Sequence, residues 1–242
     1  MIAAIIQART GSTRLPNKIF KLIEGKPLIW HITERVKQAK LVDTVIIATT
    51  TNPVDDSVEQ WCKENSVAIY RGSENDVLNR YYMAALEFKA DVVIRITCDD
   101  PFKDPGVIDE TVNYFLTHQF DFASNNNPPT FPEGLDVEVM SFKTLETMEQ
   151  NAATDFEREH VTQYVYKNPE KFSVGNYPFE RNLSRLRWTI DTEKDLEMAR
   201  VVYSKLYPAK PFFTYKDILK LLDEQPEITE INQNEKRSAL YN

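Results

Sequence analysis

Residues 2–18 read Ile-Ala-Ala-Ile-Ile-Gln-Ala-Arg-Thr-Gly-Ser-Thr-Arg-Leu-Pro-Asn-Lys and join a short apolar run to a polar loop. The run from Ile2 to Ile6 has no polar alternation, which is typical of a strand that is buried on both faces. The loop over residues 8–18 combines a glycine and small hydroxyl residues with two arginines and a lysine. Such a loop suits a polyphosphate, and its position after the first strand favours this interpretation over a solvated basic turn.

Apolar runs of the same kind recur along the first half of the chain, with helical patterns between them. Further buried strands are predicted at Val45 to Ala48, Val67 to Tyr70 and Val92 to Ile96. One helical pattern begins at Pro27, and three others cover residues 54–64, 76–88 and 105–117. Strands that alternate with helices in this way imply right-handed crossovers. The first half therefore predicts an α/β fold with a mostly parallel open sheet and helices on both faces, a Rossmann-like three-layer sandwich.

The alternation of strands and helices stops after residue 120. Residues 125–134 contain three prolines and a run of asparagines, which predicts irregular structure. Beyond them, the patterns predict strands at Leu135 to Met140 and Leu186 to Ile190, helices at 142–150, 155–167 and 193–207, and an arm or partly disordered tail beyond about residue 225. No internal repeat or linker is recognisable. Residues 1–242 are therefore interpreted as one domain with a distinct subregion at about 120–180.

Composition and charge limit the classes of protein to which the chain can belong. The formal net charge of −8 disfavours a general nucleic-acid-binding role. The first 26 residues nevertheless contain five basic side chains and one acidic side chain, which indicates a pocket for a small polyanion. The apolar runs are too short to span a membrane, and the start of the chain lacks the pattern of a signal peptide. With two cysteines in apolar surroundings, the cytoplasm is the expected location.

Acidic residues follow two other predicted strands at the point where each strand ends. Asp99 and Asp100 come after the fourth predicted strand, and Asp191 comes after the last one. Buried acids are costly unless they are solvated, paired or bound to a cation, and Mg²⁺ prefers carboxylate and phosphate oxygens. Asp99 and Asp191 are therefore candidate metal ligands, with an ordinary polar strand end as the alternative. Thr192 and Asp195 predict a capping box for the next helix.

A set of segments, which follow one another over roughly residues 2–200, carries a family resemblance. They are Ile5 to Lys18, Ala48 to Pro53, Gly72 to Tyr81, Arg95 to Asp99, Gly134 to Val139, Arg158 to Thr162 and Leu186 to Thr192. Together they resemble the SpsF-type spore-coat polysaccharide proteins of the cytidylyltransferase superfamily. More distantly, they resemble the synthetases that activate octulosonate and acylneuraminate sugars as CMP-sugars. Cys98-Asp99-Asp100 stands where this family usually has Gly-Asp-Cys, so the role of Asp100 stays open.

The resemblance implies a fold like that of the nucleotide-diphospho-sugar transferases and the activity of a nucleotidyltransferase. Such an enzyme would couple a sugar, here an acidic one, to CMP from CTP and release pyrophosphate, in the biosynthesis of a surface polysaccharide or glycan. The resemblance also implies that Arg9, Arg14 and Lys18 hold the triphosphate as catalytic residues. Asp99 and Asp191 would hold Mg²⁺. The residues implied to bind the nucleotide are Gln7, Ala8, Arg9, Gly11, Ser12, Ser73, Asp76, Arg80 and Thr97.

The resemblance defines the sugar-binding residues less well than the nucleotide-binding residues. Asp136 and Glu138 follow the irregular loop and are candidates for binding the acceptor, although acids at a turn are commonly solvated. His160 is a further candidate, in a predicted helix whose start at Thr154 fits a capping box with Glu157. The alternative for His160 is a structural role. The subregion at 120–180 is interpreted as a site for acceptor binding or for the interface of a possible homodimer.

Three other functions stay compatible with the sequence. A GT-A-like glycosyltransferase would also place acids at a strand end, and it would release a nucleoside diphosphate from a nucleotide-sugar. A sugar-1-phosphate nucleotidyltransferase that uses another nucleoside triphosphate would have the same mechanism as a cytidylyltransferase. A non-catalytic nucleotide-binding protein is the third alternative, and the basic loop together with Asp99 and Asp191 argues against it.

Overall fold

A computed structural model describes residues 1–235 and places a seven-stranded sheet at the centre of the fold. In chain order, the strands are β1 (Ile2–Gln7), β2 (Leu22–Ile23), β3 (Lys26–Pro27), β4 (Thr44–Thr50), β5 (Ala68–Gly72), β6 (Val92–Thr97), β7 (Phe122–Ser124), β8 (Glu138–Ser141) and β9 (Val174–Asn176). The sheet has the order β5-β4-β1-β6-β8-β7-β9, and β2 and β3 form a separate hairpin. All pairings in the described sheet are parallel except those of β8, which runs antiparallel to β6 and β7.

Helices cover both faces of this sheet. In chain order they are α1 (Leu28–Val36), α2 (Asp56–Glu64), α3 (Val77–Glu87), α4 (Pro105–His118), α5 (Phe142–Asn151), α6 (Asp155–Glu159), α7 (Gln163–Lys167), α8 (Glu193–Leu206), α9 (Tyr215–Glu224) and α10 (Glu227–Glu230). Ala4 and Ile6 of β1 pack in one core with α1, α2, α4, α8 and α9. Ala3 and Ile5 pack on the opposite face with α3, α5 and α7. Both faces of β1 are apolar because helices cover both, and the predicted α/β fold is confirmed.

The direction of the strands decides which side chains meet at one edge of the sheet. The carboxyl ends of β1, β4, β5 and β6 lie at the same edge because these strands are parallel. Because β8 runs in the opposite direction, it begins at that edge. Gln7 and Thr97, at the ends of β1 and β6, therefore lie at the same edge as Glu138, at the start of β8. Ligands of open α/β sheets bind at this edge.

The predicted strand from Leu186 to Ile190 is wrong. In the described part of the chain, this segment forms an isolated bridge and pairs with no strand of the sheet. Its backbone N–H groups donate instead to carbonyl oxygens of loops, from Trp188 to Glu133 and from Ile190 to Asp99, both at 2.8 Å. The Trp188 and Ile190 side chains are buried. An apolar run thus indicates burial, which this segment reaches as a packed extended loop rather than in a sheet.

The predicted helix over residues 155–167 is two short helices, α6 and α7. Thr154 and Glu157 form the predicted capping box at the start of α6. Val161 then adopts a φ of 53°, a left-handed conformation that a β-branched residue rarely takes and that no α-helix contains. His160 consequently lies at the end of a helix rather than inside one.

The strand predicted from Leu135 to Met140 begins later, at Glu138. The buried Asn125 takes up the backbone groups that precede the strand. Asn125 Nδ2 donates to Leu135 O at 2.9 Å, and Val137 N donates to Asn125 Oδ1 at 2.8 Å. An asparagine side chain can replace a neighbouring strand in this way, because it presents a donor and an acceptor like those of the backbone.

Several elements of the second half do not show in the sequence pattern. β7 and β9 have three residues each, which is too short for a recognisable period, and α9 was not predicted. The tail beyond about residue 225 was predicted to be an arm or partly disordered; over residues 226–235 it is ordered, with α10 and with Ile228 and Asn232 buried. The rest of that predicted tail, residues 236–242, lies outside the described residues. Among residues 1–235, no helix is long and apolar enough to cross a membrane.

Candidate active site

A cavity of about 720 Å³ opens where β1 and β6 end and β8 begins. The part beside β1 and α3, here called the β1 end, is lined by Gln7, Ala8, Arg9, Arg14, Val77 and Arg80. The part beside β8 and α7, here called the β8 end, is lined by Asn126, Glu133, Asp136, Glu138, His160, Thr162 and Tyr166. Asp99 and Asp191 line the same cavity, and Asp99 follows β6, which lies between β1 and β8 in the sheet.

The loop after β1 is fixed by Asp55, which sequence reasoning missed. Asp55 Oδ1 accepts hydrogen bonds from Thr10 N at 2.8 Å and from Thr10 Oγ1 at 2.7 Å, and its other oxygen accepts one from Thr50 Oγ1. The side chain is 2% exposed. A buried carboxylate with three donors ties the loop to the end of β4. The signal in the sequence is an acid that closely follows Asn52-Pro53, a pair of residues typical of a turn.

Lys18 brings together the two acids that were predicted as metal ligands. Its Nζ donates to Asp99 Oδ2 at 3.0 Å, to Asp191 Oδ1 at 2.9 Å and to Ile190 O at 3.1 Å. Burial disfavours the charged form of Lys18, but the two carboxylates outweigh it and raise the Lys18 pKa above its ordinary value. Burial likewise opposes ionisation of Asp99, yet Lys18 lowers the Asp99 pKa. The ion pair thus favours the charged forms of both Lys18 and Asp99.

Asp191 is held by two arginines in addition to Lys18. Arg14 contacts Asp191 Oδ2 at 3.0 Å, and Arg187 contacts the same oxygen at 3.3 Å. Arg187 also makes a two-fold pairing with Asp195, whose side chain forms the predicted capping box with Thr192. Sequence reasoning explained Asp195 as a cap and missed this second contact, because nothing in the local pattern pairs it with Arg187.

Asp99 and Asp191 offer the carboxylate oxygens that a divalent cation such as Mg²⁺ prefers. Both carboxylates lie within 3.0 Å of one atom, Lys18 Nζ, so they converge on one side of the cavity. Among residues 1–235, no group of three or more His, Cys, Asp or Glu side chains is placed to hold a metal. Two convergent carboxylates suit Mg²⁺, which commonly binds through one or two carboxylates and substrate phosphates. The residues thus fit Mg²⁺ bound together with a nucleotide.

The segment between β5 and α3 shapes the β1 end. Arg80 is 2% exposed, lines the cavity and donates to Ser73 O, and its Nε has no hydrogen-bond partner among the described residues. Ser73 Oγ accepts from Asp76 N at 3.0 Å. Asp76 caps α3 through Asn79 N at 2.9 Å and pairs with Arg158 at 2.6 Å. Ser73 and Asp76 therefore have structural partners, and of these residues Arg80 faces the cavity.

The other predicted nucleotide-binding residues divide into two groups. Gln7, Ala8, Arg9 and Thr97 line the cavity, whereas Gly11 and Ser12 do not. Arg9 is half-exposed, and its guanidinium lies 3.8 Å from Glu74. The Thr97 hydroxyl donates to Asp100 Oδ2 at 3.0 Å.

A hydrogen-bonded network organises the β8 end. Glu138 is buried and pairs with Arg95. Glu138 Oε1 also accepts from Thr162 Oγ1 at 2.9 Å and from Tyr166 OH at 3.1 Å. The Tyr166 hydroxyl lies 3.2 Å from Asn126 Oδ1. These contacts fix hydroxyl, amide and carboxylate groups on one wall, as a site for a polyhydroxylated ligand requires.

Asp100 and Asp136 meet at the buried Lys103. Lys103 Nζ donates to Asp100 Oδ2 at 2.8 Å and to the backbone oxygen of Asp136 at 2.6 Å. Burial raises the pKa of Asp100 to about 7 and that of Asp136 to about 6 despite the lysine. Burial also lowers the pKa of His160, which packs edge-on against Phe156 with ring centroids 4.5 Å apart.

The sequence and the fold are similar to those of known cytidylyltransferases. A family model described as "Cytidylyltransferase" matches residues 3–236. The spore coat polysaccharide biosynthesis protein SpsF of Bacillus subtilis is 31% identical over 233 residues, which cover 93% of this chain and 95% of that protein. A 3-deoxy-manno-octulosonate cytidylyltransferase of Trichlorobacter lovleyi is 34% identical over 116 residues, 48% of this chain and 45% of that enzyme. The solved structure of a cytidylyltransferase from Leptospira borgpetersenii has a TM-score of 0.91, 35% identity and 98% coverage of both chains.

Proposed function

Because the chain belongs to the cytidylyltransferase family, we propose that it transfers CMP from CTP to a sugar hydroxyl and releases pyrophosphate. Family membership makes it a nucleotidyltransferase, and the identity of the base and of the sugar belongs to the proposal. The observation that carries it is one cavity with basic side chains at the β1 end, the Lys18–Asp99–Asp191 cluster after β6, and a network of polar side chains at the β8 end. Such a cavity suits a triphosphate beside an acceptor.

The proposed reaction is an in-line displacement at the α-phosphorus of CTP. The sugar oxygen forms a bond to phosphorus as the bond to the pyrophosphate oxygen breaks, and the hydroxyl proton passes to water. Arg9 and Arg14 have side chains that are about half exposed, so they can turn toward the triphosphate. Lys18 is held in place by two carboxylates and offers a fixed charge. Together these three residues offset the negative charge that grows on pyrophosphate.

Mg²⁺, when bound, would polarise the α-phosphate and lower the pKa of the attacking hydroxyl. Asp99 and Asp191 would hold it, and phosphate oxygens would complete its ligands. Lys18 Nζ lies within 3.0 Å of both carboxylates, which shows that the two acids converge.

The proposal extends to the class of sugar and to its use. The octulosonate cytidylyltransferase relative acts, by its name, on a sugar acid, and the SpsF relative serves a spore coat polysaccharide. We infer a sugar acid as the acceptor here and a surface polysaccharide or glycan as its destination. At the β8 end, Glu138 and Asp136 would accept hydrogen bonds from sugar hydroxyls, and Tyr166 and Asn126 would add further polar contacts.

Pyrophosphate release tests this function. The purified protein with Mg²⁺ is incubated with CTP, UTP, GTP or ATP and with pools of sugar acids or of sugar 1-phosphates. We expect pyrophosphate from CTP with the sugar acids. Release of pyrophosphate from another nucleotide with a sugar 1-phosphate would show that neither CTP nor a sugar acid is the substrate. Release of a nucleoside diphosphate from a nucleotide-sugar, with no pyrophosphate from any pair, would identify a glycosyltransferase instead.

A further inference from the structure

We propose that Arg187 is a positioning residue for the transfer reaction and that Asn232, near the end of the described chain, locks it in place. This inference rests on the function proposed above. Arg187 contacts Asp191 beside the Lys18 cluster and Glu133 at the β8 end, so that one guanidinium joins two walls of the cavity. Arg187 and Asn232 do not line the cavity themselves, so both act through other residues.

The orientation of the Arg187 guanidinium is fixed by Asp195. Arg187 Nε donates to Asp195 Oδ1 and Nη2 donates to Asp195 Oδ2, both at 2.9 Å. With its plane fixed by this two-fold pairing, Nη1 lies 3.1 Å from Glu133 Oε1 and Nη2 lies 3.3 Å from Asp191 Oδ2. The ammonium of a lysine has no planar fork and cannot serve three carboxylates in these directions.

Arg187 differs from the other arginine on Asp191 in its burial. The Arg14 side chain is 49% exposed, whereas that of Arg187 is 5% exposed. A triphosphate would attract the exposed Arg14 and draw it away from Asp191. Arg187 would then hold Asp191 Oδ2, while Lys18 holds Oδ1 at 2.9 Å. The orientation of Asp191 in the nucleotide complex therefore depends on Arg187.

Asn232 holds the opposite side of the same network. It is 3% exposed, and its Nδ2 donates to Arg187 O at 3.0 Å and to Asp195 Oδ1 at 2.9 Å. The buried Ile228 anchors the segment that carries it. Removing the Asn232 amide would leave both oxygens without this donor and loosen the pairing that orients Arg187. Asn234, two residues further on, is exposed and provides a matched control.

Cation binding without turnover tests the positioning role. The affinity for Mn²⁺ with the non-hydrolysable analogue α,β-methylene-CTP is measured by electron paramagnetic resonance, alongside kcat and the melting temperature. We expect Arg187→Lys to lower this affinity and kcat by about tenfold or more, as is usual when a residue that orients a metal ligand is changed. Asn232→Ala is expected to lower both in the same direction by a smaller factor, and Asn234→Ala to match the unsubstituted protein.

Two results would overturn the inference. One is wild-type affinity for Mn²⁺ and wild-type kcat in folded Arg187→Lys and Asn232→Ala proteins. The other is a lowered melting temperature with unchanged affinity per folded molecule, which would make both residues structural only. If Arg187→Lys does not fold, Asn232→Ala and Asn232→Asp carry the test. Failure of the proposed function shows separately, as tight binding of the Mn²⁺ complex without pyrophosphate release from any sugar.

Discussion

Lys18 places one ammonium group between two carboxylates. Its contacts with Asp99 and Asp191, at 3.0 and 2.9 Å, align both acids although all three side chains are largely buried. Without the lysine, the two carboxylates would lie close together on one side of the cavity with no cation between them. In the proposed reaction, Lys18 also neutralises part of the leaving pyrophosphate. Its loss should therefore affect chemistry more than folding.

Replacing Lys18 with alanine is expected to slow turnover by about 100-fold or more, the usual cost of losing one group that stabilises a developing charge. The measurement is kcat for pyrophosphate release at saturating CTP. Lys40→Ala removes an exposed lysine outside the cavity and should leave kcat unchanged. A folded Lys18→Ala protein with near-normal turnover would show that Lys18 has no role in catalysis.

His31 is expected to make the protein sensitive to mild acid. It is buried, and burial, reinforced by the charge of Arg35, lowers its pKa to about 4, while its Nε2 donates to Ile23 O at 2.8 Å. The unfolded chain, with a histidine pKa of about 6.5, binds this proton more readily. Stability from the neutral ring is therefore complete above pH 6.5 and is lost as the pH falls toward 4.

His31→Gln keeps a donor for Ile23 O and removes the titrating group. Between pH 7 and pH 4.5, the unsubstituted protein should lose about 2–3 kcal/mol more unfolding free energy than the variant. Urea denaturation of both proteins at the two pH values measures this difference. Equal losses in the two proteins would mean that His31 does not titrate in this range.

At the scale of elements, the loop after β1 depends on the end of β4. Asp55 is the shared anchor, since it accepts from the backbone and hydroxyl of Thr10 and from Thr50. Arg9 and Arg14 belong to this loop, and both line the cavity. The arrangement explains how a loop with little regular structure can hold the backbone that carries both arginines.

Asp55→Ala should lower the unfolding free energy by about 2–3 kcal/mol, because it leaves buried donors without an acceptor. It should also raise the KM for CTP, since Arg9 and Arg14 lose their support. Asp56→Ala is the matched control: it removes the neighbouring exposed acid, whose ion pair with Arg71 lies on the surface. If Asp55→Ala and Asp56→Ala have the same KM, the loop does not need this anchor.

At the scale of the whole molecule, residues near the end of the described chain pack beside the site. Residues 226–235 pack Ile228 into the core and bring Asn232 against Arg187 and Asp195. The segment therefore contributes both to the core and to the orientation of Asp191.

The predicted cytoplasmic location and homodimer stay predictions, and sedimentation of the purified protein would measure the oligomeric state.

A chain that ends at Gln225 should melt about 10 °C lower than the full chain. Burial of Ile228 and the two hydrogen bonds of Asn232 together contribute a few kcal/mol, and about 2–4 °C are lost per kcal/mol at this chain length. Differential scanning calorimetry gives the melting temperature. A chain that ends at Glu235 separates this effect from that of residues 236–242. An unchanged melting temperature in the shorter chain would mean that α10 and Asn232 add nothing to stability.

The sequence by itself determined the parallel half of the sheet and the places where the site begins. The apolar runs of β1, β4, β5 and β6 and the helical periods between them are local, so they can be read without knowledge of the fold. Because parallel strands end at one edge, the residues after β1 and β6 were placed together correctly. The cavity is lined by Arg9, Arg14 and Asp99, as this reasoning implies.

Tertiary structure decided the direction of β8, the loop at Leu186 to Ile190 and the partners of the charged side chains. An apolar pattern records burial but neither strand direction nor pairing. Lys18 meets residues 81 and 173 positions away, and Asn232 meets one 37 positions away. Contacts at such separations form only when the whole chain has packed, because no local propensity or spacing links their partners.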